Sequence, residues 1–441
     1  HWLLADGLSA DAAASPAVRR TLRNRARYEI ANNSYARGIV LTLANDCVGT
    51  GPRLQLLGLD GEDARAVERA FMDWLQAIDL PEKLRVMRVA LAEDGETFGL
   101  LTRNPGLPTP VQLDLRLVEA DQIATPDLRQ IQTNAVDGIV FDAAGNPVEY
   151  HVLRRHPGDS VGVTVYGREF DRVPAAAVIH LFRPDRPGQR RGVPEITPAL
   201  SIFADLRRYC QAVIAAAEAA ADYAGIAYTD APAGGEADPV EPMDLIQLEK
   251  RSLLTMPGGW RMEQMRAEQP TTTYPQFVDA KLNEASRCFN MPFNIAAGNS
   301  SGYNYASGRL DHQTYFKAIR VDRARIAARV LDPLLAAWIR EAVLIEDYLP
   351  QRLRLVGTDW SHQWFWDGHE HVDPQKEANA QDTHLRNHTT TLADEYAKRG
   401  QDWETQLAQR AAEIRRMEEL GLSAEQALSI TPEPAEDPVD A

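Results

Sequence analysis

Within the stretch SHQWFWDGHEHVD, His362, His369 and His371 stand close to Asp373. Imidazoles two residues apart on an extended segment point to the same side, and a carboxylate two further on could complete a metal set suited to hydrolysis. The same residues also have a structural reading. Trp360, Trp364 and Trp366 crowd the segment, and Asp373-Pro374 reads as a helix N-cap followed by proline at the first helical position. That reading accounts for Asp373 without an ion, so no metal is assigned. A metal-dependent hydrolase using His362, His369 and His371 stands as the alternative function.

Other catalytic patterns are weaker. Ser160, His180 and Asp185 offer the residue types of a triad, but the chain has no nucleophile elbow, no GxSxG and no HExxH. Asp94 and Glu96, in LAEDGETFG, would serve as general acid and base, yet they have no evident partner, and Gly95 marks a helix end; a turn is the expectation. The stretch GNSSGYNYASG lacks the Lys-Ser/Thr ending of a phosphate loop. Its Asn299, Ser300, Ser301, Tyr303 and Asn304 can hydrogen-bond without carrying charge, which suits sliding contact with backbone phosphates. These residues give no positive reason to expect an enzyme or a cofactor.

The segment HLFRPDRPGQRRGVPEI, from His180 to Ile196, poses a different problem. It concentrates Arg183, Arg186, Arg190 and Arg191 around Pro184, Pro187 and Pro194. Proline lacks an amide donor and restricts the residue before it, so a bent connection carrying forked cations is expected. Its partner would be a carboxylate, a phosphate or another protein.

The elements that must position these groups follow from pattern. At 441 residues, two to four modules are expected. A hydrophobic share of 44% and a charged share of 25% describe a soluble, folded chain, and no apolar run reaches bilayer length. No signal peptide is evident after His1. Cys47, Cys210 and Cys288 are few and scattered, as expected of reduced thiols rather than a disulfide framework. The formal charge of −16, from 47 basic and 63 acidic residues, argues against a protein that grips nucleic acid over a broad basic surface.

Helical spacing predicts a long N-terminal helix and a strand after it, helices over 62–78 and 81–93, and an alternating strand in PVQLDLRLVEADQI. GIVFD and PVEYHVL, joined by residues 143–146, read as a hairpin, and residues 105–182 as a β-rich insert. A long Ala-faced helix follows the Arg/Pro segment, and LLTMPGGWRMEQM reads as two strands about a turn. A very long helix runs on from Leu310. Two more helices start near Pro374 and Asp402, and the tail is acidic and disordered by composition.

Five stretches, in order, resemble one family. They are RNRARYEIANNSYARGIVLTLANDCVGTGPRLQ, DGIVFDAAGNPVEYHVLRRHP, VIHLFRPDRPGQRRGVPEITPAL, FNMPFNIAAGNSSGYNYASGRLDHQTYF and HVDPQKEANAQDTHLRNHTTTLADEYAKRGQDWE. The chain is similar through them to the lambda-type portal proteins of tailed phages. The resemblance implies a ring-forming, mainly helical α+β fold with wing, long stem helices, β-rich clip and helical crown. Projected onto this sequence, the wing is 1–82, a first stem helix 83–104, the clip 105–190 and a second stem helix 191–225. A further wing portion would be 226–360, with a tunnel loop near 297–308, then a crown at 361–422 and a disordered acidic tail at 423–441.

The resemblance also implies a head–tail connector, commonly a dodecamer, at one capsid vertex of a phage or phage-like particle. Double-stranded DNA, the terminase motor, a head–tail adaptor, and capsid and scaffold proteins would be its partners, with no membrane. It would occupy the virion's portal vertex, and the host cytoplasm during assembly. Asn299, Ser300, Ser301, Tyr303, Asn304 and Tyr305 would form the channel-facing tunnel loop. Arg183, Arg186, Arg190 and Arg191 would meet a neighbouring subunit or the adaptor.

Overall fold

A computed structural model describes residues 7–59, 61–125, 134–159, 169–222, 226–229, 260–263, 273–354, 357–368 and 374–421. The chain divides into two compact units, one of residues 1–197 with 301–441 and one of residues 198–300.

The larger unit opens with α1 (Ala10–Ala13), α2 (Pro16–Asn32) and α3 (Ser34–Val48). The single long helix expected here is broken at Asn33, which leaves helical geometry and caps α3 by accepting from the amides of Tyr35 and Ala36. Next come β1 (Arg53–Leu56), α4 (Gly61–Ala77) and α5 (Leu80–Glu93). Val67, Phe71 and Trp74 share the core face of α4 at helical spacing. The projected stem helix over 83–104 is helical only to Glu93. Beyond Gly95 (φ +86°) the chain turns into β2 (Glu96–Arg103).

β2 is the middle strand of an antiparallel sheet with β3 (Leu113–Val118) on one side and β8 (Val178–Phe182) on the other. A second antiparallel sheet runs β4 (Ala135–Val136), β5 (Ile139–Phe141), β6 (Pro147–Leu153) and β7 (Phe170–Pro174). The hairpin read at residues 143–146 is present between β5 and β6, with Gly145 at φ +87° where a side chain would be strained. Phe98, Leu100, Ile139, Tyr150 and Val152 are buried together in one cluster that spans both sheets.

The smaller unit holds α6 (Leu200–Asp222), β9 (Ile226–Thr229), β10 (Trp260–Glu263), α7 (Tyr274–Ser286) and α8 (Phe293–Ala297). Strand β10, inside LLTMPGGWRMEQM, pairs antiparallel with β9, and the other strand expected in that stretch lies outside the described residues. Tyr209 of α6 stacks on Tyr274 of α7 at 5.7 Å.

The chain re-enters the larger unit through α9 (Tyr305–Ile326), a π-helical turn (Ala327–Leu331) and α10 (Asp332–Ala342). Pro333 cannot donate to the carbonyl of Arg329, and the helical ladder widens just upstream of it. Trp338 of α10 meets Phe71 edge-on at 5.2 Å and lies 6.3 Å from Trp74, both of α4. β11 (His362–Phe365) pairs antiparallel with β1, so the start of the projected crown belongs to the larger unit's sheet. Helices α11 (Pro374–Arg386), α12 (Leu392–Lys398) and α13 (Trp403–Glu419) complete the fold. Asp402 caps α13 as expected, accepting from the Thr405 amide at 3.0 Å. The tail expected to be disordered lies outside the described residues.

Candidate functional site

Burial separates the four arginines of the connector. Arg186 is exposed and donates to the Leu8 carbonyl at 3.0 Å. Half-buried Arg190 lies over the Phe141 ring at 4.5 Å, with its amide on Asp11. Arg183 pairs with Asp185 at 2.8 Å and with buried Glu195 at 3.1 Å. Gln189 accepts from the amides of Asp185 and Arg186, closing the bend on itself.

Arg191 departs from the expectation of an inter-subunit or adaptor contact. Its side chain is 0% exposed and is consumed inside its own chain. Its Nε lies 2.9 Å from both oxygens of Glu96, and its other nitrogens donate to the carbonyls of Ile123, Ala120 and Asp137. A guanidinium so enclosed has no face left for another subunit.

Glu96 is the centre of this arrangement, and the turn expected around it was only half the answer. Besides Arg191, it accepts from Arg23 at 2.6 Å and from the Gly192 amide at 3.0 Å, and His180 Nε2 lies 3.1 Å away. Burial pushes its carboxyl up, but Arg191, the His180 hydrogen bond and Arg23 outweigh that and hold it well below the usual carboxylate range. His180 lies between the rings of Phe98 and Phe182, at 4.2 and 4.5 Å. Burial lowers its pKa, and Glu96 only partly offsets this. Arg19, paired with Asp137, is lowered to about 10 by burial and then by Arg191. The triad reading of His180 with Ser160 and Asp185 gains nothing. Asp185 is exposed on Arg183, and Ser160 lies outside the described residues.

One signal for this core was in the sequence. Arg19, Arg23 and Arg27 recur every four residues on the face of α2 that also carries buried Ala26 and Ile30. Cations on a buried face require carboxylates opposite them, and Arg23 finds Asp121 as well as Glu96. Arg27 meets Asp94, Asp121 and Glu119.

Among the described residues, one group has metal-ligand spacing: Glu119, Asp121 and His156. Protein groups already engage most of it, though the buried His156 Nε2 has no hydrogen-bond partner among the described residues. Arg27 pairs with both carboxylates, and His156 Nδ1 accepts the Gly158 amide at 3.0 Å. That bond leaves the neutral ring's proton on Nε2, the atom a metal would need bare. His362 is likewise engaged, Nδ1 with the Trp360 carbonyl at 2.9 Å and Nε2 with Asp332 at 3.2 Å. His369, His371 and Asp373 lie outside the described residues.

The polar loop runs from Gly298 to Asn304. Gly298 (φ +64°) ends α8, and the Asn299 amide returns to the Asn294 carbonyl at 3.0 Å. Asn304 caps α9 by accepting from the Ser307 amide at 2.9 Å. Between them Asn299, Ser300 and Ser301 are exposed, and Tyr303 is half-buried. Tyr305 begins α9. The loop presents uncharged hydrogen-bonding groups and no cation.

Residues 3–323 match the model of the family described as phage portal protein, lambda family. The chain is 25% identical over 432 residues to a probable portal protein of Halomonas phage phiHAP-1, covering 91% of this chain and 81% of that protein. It is 22% identical over 477 residues to portal protein B of Escherichia phage lambda, covering 94% of this chain and 87% of that one. Its fold resembles the neck of an empty gene transfer agent (GTA) particle computed with C6 symmetry. There the TM-score is 0.50 at 15% identity, over 88% of this chain and 94% of that one. With the family match extending through α6, the polar loop and most of α9, this chain belongs to the lambda family of phage portal proteins.

Proposed function

We propose that this chain is the repeating subunit of a head–tail connector ring, commonly of twelve copies, at one vertex of a phage or phage-like capsid. Double-stranded DNA would enter through its bore, driven by a terminase motor, and leave through it into the tail. The observation that carries the reading is the family match over residues 3–323, which takes in the connector, the whole smaller unit and the polar loop. The activity is passage rather than catalysis. An adaptor, capsid and scaffold proteins are the further partners, the virion vertex is its site, and assembly takes place in the host cytoplasm. No helix among the described residues is long and apolar enough to cross a membrane.

Charge supports a bore that does not grasp. Duplex DNA carries roughly one negative charge per 1.7 Å of axis, so a basic wall would bind it tightly and salt-sensitively. A chain with a formal charge of −16 and an uncharged loop at 298–304 suits weak contacts that do not depend on register.

We assign stem and clip to the smaller unit, in place of the projected 105–190 insert. A clip must lie between two stem helices. In the smaller unit α6 and α7 flank the antiparallel β9–β10 pair in sequence, whereas β2 and β8 of the insert sheet pack with α5 and the π-helical turn of the larger unit. α11–α13 remain our assignment for the crown. Arg183, Arg186 and Arg190 remain the proposed inter-subunit or adaptor contact, since heterologous contacts close into a ring when the rotation per copy is right.

Negative-stain imaging with mass measurement of the purified chain tests the proposal. Rings with a central hole are expected. A chain that stays monomeric at high concentration and beside its capsid and scaffold proteins overturns it.

A further inference from the structure

Arg88 lies on α5 with 3% of its side chain exposed, between two carboxylates from distant parts of the chain. Its NH1 donates to Glu195 Oε2 at 2.8 Å, in the connector, and its NH2 to Asp322 Oδ2 at 3.0 Å, on α9. The other oxygen of Glu195 accepts from Arg183 at 3.1 Å, and Arg183 continues to Asp185 at 2.8 Å. The result is an unbroken line of charges, Asp322–Arg88–Glu195–Arg183–Asp185. It starts on the helix that follows the polar loop and ends on the exposed bend of the connector.

Both ends are seated on structure that transmits displacement. The amides of Glu195 and Ile196 donate to the carbonyls of Leu91 and Ala92, which docks the connector on the last turn of α5. On α9 the residue after Asp322 is Arg323, which donates to the carbonyls of Asp46, Cys47 and Asp367, each at 2.9 Å. That clamp binds the C-terminal turn of α3 to α9. Immediately beyond it comes the π-helical turn 327–331, a wide turn that can take up a change of helical register. Asp322 and Arg323 therefore hold α9 on the loop side of that turn.

The buried Nε of Arg88 has no hydrogen-bond partner among the described residues, and leaving a buried donor unpaired is costly. The geometry is the one that bridges Glu195 and Asp322, at the expense of the third donor.

We propose that Arg88 is a positioning residue that couples α9 to the connector 183–196, so that a displacement of the helix behind the polar loop is delivered to the bend that carries half-buried Arg183 and exposed Arg186. The meaning of that displacement as a response to DNA rests on the portal function proposed above. The coupling itself does not, and it can be read separately.

Hydrogen exchange on the purified full chain tests it. Asp322→Asn cuts the line at α9, and the amides of Glu195 and Ile196, far away in sequence, should then exchange about tenfold faster. Asp322→Glu, which keeps the carboxylate, should return them to within about twofold of the unaltered chain. Tyr315→Phe removes a different tether of α9, the 2.8 Å bond to Asp46, and should leave the connector unchanged. In case Asp322→Asn fails to fold, Arg183→Gln cuts the line at its half-exposed end and should speed exchange around Asp322, because coupling is reciprocal. Faster exchange confined to the altered element, or an equal effect of Tyr315→Phe on the connector, overturns the coupling. Ring formation is scored by mass in the same samples, and its failure with the coupling intact would count against the portal reading alone.

Discussion

The Nε of Arg191 lies 2.9 Å from each carboxylate oxygen of Glu96, and neither side chain keeps any solvent exposure. Arg23 shares the same carboxylate from α2. A buried group of this kind is held by its completeness, because removing one member leaves the others charged and unpaired. Glu96→Gln should therefore lower stability by about 3–5 kcal/mol. Chemical denaturation of the larger unit's transition measures this, and a loss below about 1 kcal/mol would contradict the buried network.

The same group sets an acid response. The His180 imidazole is depressed on folding, so below about pH 6.5 the unfolded chain takes up a proton that the folded one refuses. Stability should therefore fall as pH drops from neutral toward the depressed pKa of His180. Glu96 is also depressed, and its contribution is present above about pH 4.3 and lost below it. A melting series from pH 7.5 to about 2 should show both steps. In His180→Gln the slope between about pH 6.5 and 5 should flatten, and an unchanged slope would remove His180 as its source.

Gly95 and Gly192 approach backbone to backbone where the connector meets the end of α5. A Cβ at Gly192 would stand 2.1 Å from the Gly95 carbonyl oxygen, and one at Gly95 would stand 2.2 Å from the carbonyl carbon of Val193. Gly192→Ala should destabilise by at least about 1–3 kcal/mol or abolish soluble expression. Gly302→Ala, which meets nothing within 4 Å, should melt like the unaltered chain. Equal behaviour of the two variants would show that the close approach is absent.

Removing residues 299–304 should leave assembly intact while reducing DNA packaging or retention. The loop is exposed from Asn299 to Gly302. Asn304 also caps α9, and losing a cap costs about 0.5–2 kcal/mol. A deletion that keeps Asn304 therefore separates the two effects. Particles with either deletion that fill and hold their genome normally would take the loop out of the DNA path.

Periodicity made much of the fold legible. The helices near 61–77, 80–93 and 403–419, the β5–β6 hairpin with its glycine, and the Asp402 cap are local consequences of apolar spacing and turn chemistry. The break at Asn33 was equally local, but helical spacing continues across it and hides the cap. The polar loop was legible as a loop because its residue types satisfy themselves by capping and by exposure.

By itself, the sequence determined the element types, the family and the acidic charge, because each follows from neighbouring residues or from composition. Only the tertiary structure decided that Arg191 faces inward while Arg186 faces out, that Glu96 is a buried hub rather than a turn residue, and that Arg88 joins Glu195 to Asp322. The two arginine partners of Glu96 lie 73 and 95 residues away. Whether a charged side chain is solvated or enclosed depends on which distant segments pack over it; the Arg19, Arg23 and Arg27 spacing marks a buried face of α2 but not the carboxylates that meet it.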